Sequence, residues 1–298
     1  MLWLVNIVAF LINAVIVGLS TLGVWGETNA TVSDDNPTLV TPASYAFSIW
    51  GVIFLSELIF VIWQALSRNR DSDIITKGIG FWFAAACIFQ AAWSIVFAQE
   101  ELVASAVILL LIAFCLAMAV VGLAPYKREK TLLFCSVEFW TVHFPIGLHG
   151  GWVLAASLVN INVALDDPSL TAQVAGLVLT VVAASVGATL AAVVFYDQVY
   201  LLSIAWALAA VASKEDDRTT LLGAEISDGV HDGITGLWIA LLVLGAITAL
   251  AGMVMGRGGG GTDAGYSGRP AWSHGGRKPH RNANDGPQTD VTSAIYHA

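Results

Sequence analysis

Residues Thr41–Phe54 read TPASYAFSIWGVIF, with a proline shortly before a run of aromatic and aliphatic residues that contains no charge. Proline suits the start of a helix, because the N–H that it lacks would find no partner in the first turn. The apolar run extends over residues 44–66, and Glu57 is its only charged residue. Since roughly 20 apolar residues in a helix cross a bilayer, the stretch predicts a membrane helix that starts soon after Pro42.

The composition of the whole chain excludes a soluble domain. Of its 298 residues, 57% are hydrophobic and 12% are charged, and the mean hydropathy is +0.74. One core could not bury so much apolar surface, so the lipid bilayer is expected to surround the chain. The net charge of −9 argues against nucleic acid as a partner. The three cysteines lie in apolar segments, which favours buried thiols over a disulfide framework or a metal site.

Eight segments are apolar and long enough to be membrane helices. The first has no basic residues before it, so a retained helix is favoured over a signal peptide. From residue 257 the chain is polar and glycine-rich, which predicts a disordered tail over residues 257–298. The sequence thus predicts an all-α integral membrane protein with spans near 2–25, 44–66, 77–98, 102–124, 132–157, 171–195, 198–213 and 233–256.

The basic residues predict the orientation of these helices. Eleven of the thirteen lysines and arginines follow the second, fourth or eighth predicted helix, and only Lys214 and Arg218 lie on the other side. Lysine and arginine accumulate in cytoplasmic loops. We therefore expect an even number of spans, with both termini on the cytoplasm-like side.

Charged groups within the spans are candidates for function, because each is costly to insert into lipid. Glu57 and Glu138 fall at similar predicted depths and could share a proton. His143 lies on a different helix face from Glu138, so these two are not expected to pair. A protonated glutamate that only hydrogen-bonds between helices is the alternative. Asp197, in a short turn, is expected to stay hydrated.

The half of the membrane remote from the termini contains an aromatic set. Trp50, Trp93 and Trp152 each have a companion three residues earlier, so each pair can share a helix face. Such faces could enclose a flat, largely apolar ligand, which the matched set favours. A single tryptophan is better explained by the aromatic belt of the membrane interface. The set comprises Tyr45, Phe47, Trp50, Gln90, Trp93, His149 and Trp152.

Catalytic motifs are missing from the sequence. It contains no recognisable nucleophile–histidine–acid arrangement, no phosphate-binding glycine loop and no metal-ligand spacing. We therefore expect no enzyme activity and no required cofactor or metal.

Three motifs resemble those of the tryptophan-rich sensory protein family, also called the translocator protein or peripheral benzodiazepine receptor family. They are Thr41-Pro42 with Ile49–Phe54, then Gln90-Ala91-Ala92-Trp93 with Phe97, and then Leu148–Trp152 with Ala156 and Asn160. Four positions depart from the family pattern, where Thr41, Gln90, Leu148 and His149 replace proline, asparagine, proline and tyrosine. The later helices are similar to those of larger bacterial and algal relatives, which share the segment Ile204–Ala207.

The resemblance implies a receptor or sensor with a five-helix ligand-binding bundle, here residues 1–160, and additional transmembrane helices over 161–256. It implies a hydrophobic ligand, a tetrapyrrole such as protoporphyrin or a sterol, below the loop between the first two helices. The small residues of the later helices would pack against this bundle or against a second copy in a homodimer. Together, motifs and aromatic set give the predicted ligand-binding residues Pro42, Tyr45, Phe47, Trp50, Gln90, Trp93, Phe97, His149, Trp152, Ala156 and Asn160.

Two other functions remain open at this point. Buried carboxyls in eight helices would also suit a proton-coupled secondary transporter that uses Glu57, Glu138 and His143. In the third hypothesis the protein is a structural membrane partner whose tryptophans are anchors only.

Overall fold

The computed structural model describes residues 1–128, 135–165, 169–214 and 224–257, and helices account for almost all of this part of the chain. A 3₁₀ turn, Ser44–Ser48, precedes α3, and π-helical turns, Ile74–Ile79 and Phe139–His143, precede α4 and α6. The helices are α1 (Leu2–Thr21), α2 (Asn29–Asp35), α3 (Ile49–Ala65), α4 (Trp82–Ala98), α5 (Leu102–Arg128), α6 (Phe144–Leu165), α7 (Leu170–Val193), α8 (Gln198–Ala212) and α9 (Ala224–Arg257).

The predicted all-α membrane fold is confirmed. Six helical segments are long and apolar enough to cross a membrane, and α4 and α8 are shorter apolar helices. Each corresponds to one predicted span, but several boundaries differ. The third helix begins at Trp82 rather than at residue 77, because the π-helical turn and Gly80, with a φ of 57°, come first. The fifth extends to Leu165 instead of ending at 157. Residues 258–298 of the predicted tail lie outside the part of the chain that the structure describes.

Five helices form a closed ring. Going round it, α1 packs on α4, α4 on α5, α5 on α6, α6 on α3, and α3 on α1. The other three long helices attach through α6, since α7 and α8 contact it directly and α9 packs on α7 and α8. Residues Met1–Gly260 nevertheless form one compact unit. The apolar core has two clusters, and the one nearer α2 contains Ile53, Trp93, Leu109 and Trp152.

Helix α8 approaches α6 closely because three glycines face it. A Cβ atom on Gly151 would lie 2.3 Å from the backbone oxygen of Tyr200, and one on Gly150 would lie 2.7 Å from the Tyr200 ring. A Cβ on Gly147 would lie 2.5 Å from an Asp197 carboxylate oxygen. Small residues permit this kind of backbone approach between membrane helices. The contact fixes α8 against the ring.

An ion pair is buried beside this contact. The ammonium group of Lys127, at the end of α5, binds the carboxylate of Asp197, which also accepts a hydrogen bond from the Tyr200 N–H and so caps α8. The expectation that Asp197 is hydrated is therefore wrong, because the pair with Lys127 neutralises its charge inside the protein. Cys87 and Cys115 are buried as expected, whereas Cys135 is exposed.

The close contact predicts different effects for two glycine substitutions. Gly151→Ala should lower the free energy of unfolding by about 1–3 kcal/mol, since the new methyl group forces α8 away from α6. Gly18→Ala is the control, because nothing lies within 4 Å of its Cβ position and alanine favours helix by about 1 kcal/mol. Thermal unfolding in detergent, followed by circular dichroism, measures both. Equal unfolding temperatures for the two variants would contradict the packing described.

Candidate functional site: an aromatic cavity under a lid

A cavity lies among α3, α4, α5, α6 and α8, at the end of the bundle where α2 is located. Its aromatic wall consists of Phe47 from the 3₁₀ turn, Trp50 from the start of α3, Trp93 and Phe97 from α4, and Trp152 from α6. Its remaining lining residues are Val32, Ser33, Pro42, Leu109, Ala155, Ala156, Val159, Asn160, Val163, Ala207 and Val211.

Trp50 is the centre of the aromatic wall. Its ring centre lies 6.1 Å from that of Trp93 and 6.1 Å from that of Trp152, with an angle of 88° to the latter. Phe97 stacks on Trp93 at 4.9 Å, which follows from their spacing of four residues along α4. Trp93 and Trp152 are only 4% and 3% exposed. These two indoles therefore lie inside the protein, whereas an interfacial anchor would face lipid.

The cavity is narrow and almost entirely apolar. The space in it that the centre of a water molecule can occupy is only about 50 Å³. The indole N–H groups of Trp50, Trp93 and Trp152 have no acceptor among the described residues. A buried donor without a partner costs about 1–3 kcal/mol. The wall thus consists of flat aromatic faces, and the buried indole N–H groups of its three tryptophans lack an acceptor in the described part of the chain.

A segment between α1 and α3, residues 22–43, covers the cavity, and we call it the lid. At one end the Glu27 N–H donates to the backbone oxygen of Ala98 on α4, at 3.1 Å. At the other end, Lys214 donates to Asp34 of α2 at 2.8 Å. This hydrogen bond lowers the pKa of Asp34 below its usual value. The lid is therefore tied both to the ring and to the residue that follows shortly after α8.

Eight of the eleven predicted ligand-binding residues line the cavity, and three do not. Tyr45 is exposed and packs its ring on Trp206, at 5.5 Å between ring centres. Gln90 accepts a hydrogen bond from Asn13 at 3.3 Å, so it connects α4 to α1. His149 lies deeper and contacts Trp50 from the side, with 5.7 Å between ring centres. The residues that line the cavity are Pro42, Phe47, Trp50, Trp93, Phe97, Trp152, Ala156 and Asn160.

The prediction that Glu57 and Glu138 share a proton is wrong. Glu57 instead lies 2.6 Å from His149, between the carboxylate Oε1 and the ring Nδ1, and both side chains are fully buried. The span of α6 extends to Leu165, so its middle moves from about Pro145 to about Trp152. His149 consequently reaches the level of Glu57.

The second carboxyl has a histidine partner as well. Oε1 of Glu138 lies 3.4 Å from Nε2 of His143, although the sequence argument placed them on different faces. The turn Phe139–His143 is π-helical, and in such a turn residues five apart are aligned. The two carboxyls thus belong to separate pairs.

Sequence reasoning missed the contribution of α8. Ala207 and Val211 line the cavity, as do Val32 and Ser33 of the lid. The glycines of α6 were an available signal of close helix approach, but the sequence does not say which helix approaches them.

The comparison with protein families decides the membership of this chain. A family model described as TSPO-like protein matches residues 3–254. The chain belongs to the TSPO-like protein family. The match includes α7, α8 and most of α9, so these helices are part of the family pattern as well. The searches of curated proteins and of solved structures gave no significant match.

Membership in the TSPO-like family fits the fold. The resemblance to the tryptophan-rich sensory and translocator proteins is confirmed, and the chain is an integral, multi-pass membrane protein of that receptor or sensor type.

The buried Glu57–His149 pair predicts strong coupling between its members. Removing one partner of a buried hydrogen bond leaves the other polar group unpaired, which costs about 1–3 kcal/mol, whereas replacing both partners with apolar groups costs less. In a double-mutant cycle of Glu57→Leu and His149→Leu, we expect the double variant to be more stable than the sum of the single effects by about 0.5–3 kcal/mol. Unfolding of the four proteins in mixed micelles provides the measurement. Strictly additive effects would show that the two side chains do not interact.

Proposed function

We propose that this TSPO-like protein is a membrane receptor or sensor that binds a flat, hydrophobic ligand in the aromatic cavity, and that the ligand is a tetrapyrrole such as protoporphyrin. The observation that supports this proposal most strongly is the arrangement of Trp50, Trp93 and Trp152 around one apolar space. A planar macrocycle can stack on several indoles at once. Its carboxylate groups could accept hydrogen bonds from the indole N–H groups that lack partners.

A sterol is the second ligand class that the family resemblance implies. It has no aromatic face and carries a single hydroxyl group, so it would use fewer of the donors and stacking surfaces in the wall. The geometry favours the tetrapyrrole for this reason.

The ligand must enlarge the cavity in order to bind. Sites for ligands of drug size typically measure about 300–1,000 Å³, whereas the space open to a water centre is about 50 Å³ here. The aromatic side chains and the lid would have to move apart. Binding should therefore be slower than diffusion, because it includes a conformational step.

Titration with protoporphyrin IX tests the proposal. We expect saturable quenching of tryptophan fluorescence in the detergent-solubilised protein. Trp50→Phe and Trp152→Phe should each weaken binding by about two- to twelvefold, since each removes an indole N–H donor and one hydrogen bond contributes about 0.5–1.5 kcal/mol. The matched control is Trp140→Phe, because Trp140 is 55% exposed and lies outside the cavity. Lack of saturation in the wild type, or an equal loss of affinity in the control, would contradict the proposal.

Proton-coupled transport is a second candidate function. Two carboxyl–histidine pairs favour it: Glu57–His149 is fully buried, and Glu138–His143 is partly buried. Glu57–His149 lies in the middle of the bundle, and Glu138–His143 lies at the start of α6. Intramembrane acid and histidine residues are common in proton relays. Ligand-driven proton uptake into liposomes that disappears in Glu57→Gln would support transport over simple binding. The third hypothesis, tryptophans as anchors only, is disfavoured by the burial of Trp93 and Trp152.

A further inference from the structure

We propose that α8, a helix outside the five-helix ring, is part of the ligand site: it forms one wall of the cavity, and Lys214 beyond its end holds the lid closed. The first half of this proposal rests on the proposed function of the cavity. The second half concerns the lid alone and stands without it.

The wall is formed by two side chains on one face of α8. Ala207 and Val211 are four residues apart, so they lie one helical turn from each other, and they are 6% and 4% exposed. Both line the cavity, together with the aromatic residues of the ring. Alanine is the smallest side chain that a helix favours, so Ala207 leaves space that a larger residue would fill. The residue at this position should limit the size of the ligand.

Helix α8 also positions the turn that supplies Phe47. The indole N–H of Trp206 donates to the backbone oxygen of Ala46 at 3.3 Å. The N–H of Ala43 donates to the backbone oxygen of Ala210 at 2.9 Å. These bonds connect the chain just before α3 to α8. The lining residues Pro42 and Phe47 therefore depend on α8 for their location.

The lid is held by contacts from the additional helices. Asp34 accepts hydrogen bonds from Lys214 at 2.8 Å and from the Ser44 hydroxyl at 3.0 Å. The N–H of Leu39 donates to the side chain of Gln173 on α7, at 3.3 Å. Moving the lid off the cavity would break these bonds. A ligand that enters below the lid must compete with them.

The Asp34–Lys214 contact persists at neutral pH. Because the hydrogen bond from Lys214 lowers the pKa of Asp34, its stabilising effect is complete above the ordinary value of about 3.9. It is lost only as the pH falls through the lower pKa of the closed state. Both side chains are partly exposed, so salt should weaken the contact. The contact is thus a weak latch that ligand or salt can open.

Hydrogen exchange of the lid tests the latch. Lys214→Met keeps the aliphatic stem but removes the charge, and it should speed amide exchange in residues 29–43 by about 1.5- to fivefold, as expected for an exposed ion pair. Lys214→Arg should retain the wild-type rate. The control is Lys77→Met, which removes another exposed ion pair, Lys77–Asp73, away from the lid. An unchanged exchange rate of the lid amides in Lys214→Met, or an equal increase in Lys77→Met, would overturn the proposal that Lys214 holds the lid closed.

Protoporphyrin IX titration of variants at two alanines of α8 tests whether this helix forms a wall of the ligand site. Ala207→Phe should weaken binding at least tenfold, and Ala207→Leu, a smaller change, should weaken it in the same direction. Ala209→Phe, on the same helix but outside the cavity lining, should stay within twofold of the wild type. Equal affinities in the Ala207→Phe and Ala209→Phe variants would overturn the proposal that α8 forms a wall of the ligand site. If the wild type binds no protoporphyrin, the proposed function fails, and the exchange result still decides the role of Lys214.

Discussion

The close contact between α6 and α8 is the constraint on which the site depends. Because Gly147, Gly150 and Gly151 have no side chains, the backbone of α8 can lie against α6. That position lets Asp197 meet Lys127 at one end of α8 and brings Lys214 to the lid at the other. Between them, α8 presents its small side chains to the cavity. A helix outside the ring therefore lines the same cavity as four helices of the ring.

Polar pairs connect the helices of the ring to one another. One side-chain contact joins each of four pairs of neighbouring helices. Hydrophobicity alone would not hold these helices in register, because lipid is as apolar as their surfaces. Each of these pairs joins two helices, whereas the indole N–H groups of the three cavity tryptophans make no hydrogen bond to the described residues. The pairs are Asn6–Gln64, Asn13–Gln90, Glu57–His149 and Ser105–Asn160.

Much of this fold could be predicted from the sequence, because apolar length is a local property that reveals each membrane helix. Helix direction and three-residue spacing also place Trp50, Trp93 and Trp152 at one level. The depth of each side chain in the membrane was less predictable. The π-helical turns and the longer α6 shift side chains along the helix axis by about one or two turns. That shift explains why Glu57 meets His149 rather than Glu138. The role of α8 could not be found, because its apolar faces do not reveal which helix they contact.

A structure of the detergent-solubilised protein with bound protoporphyrin IX tests the central claim most directly. The account predicts the macrocycle between Trp50, Trp93 and Trp152, in contact with Ala207, with the lid displaced from its present position. The alternative location is the separate groove near Trp140 and Trp206, which residues of α3, α6 and α8 line. A macrocycle bound there, with the cavity and the lid unchanged, would contradict the assignment of the ligand site.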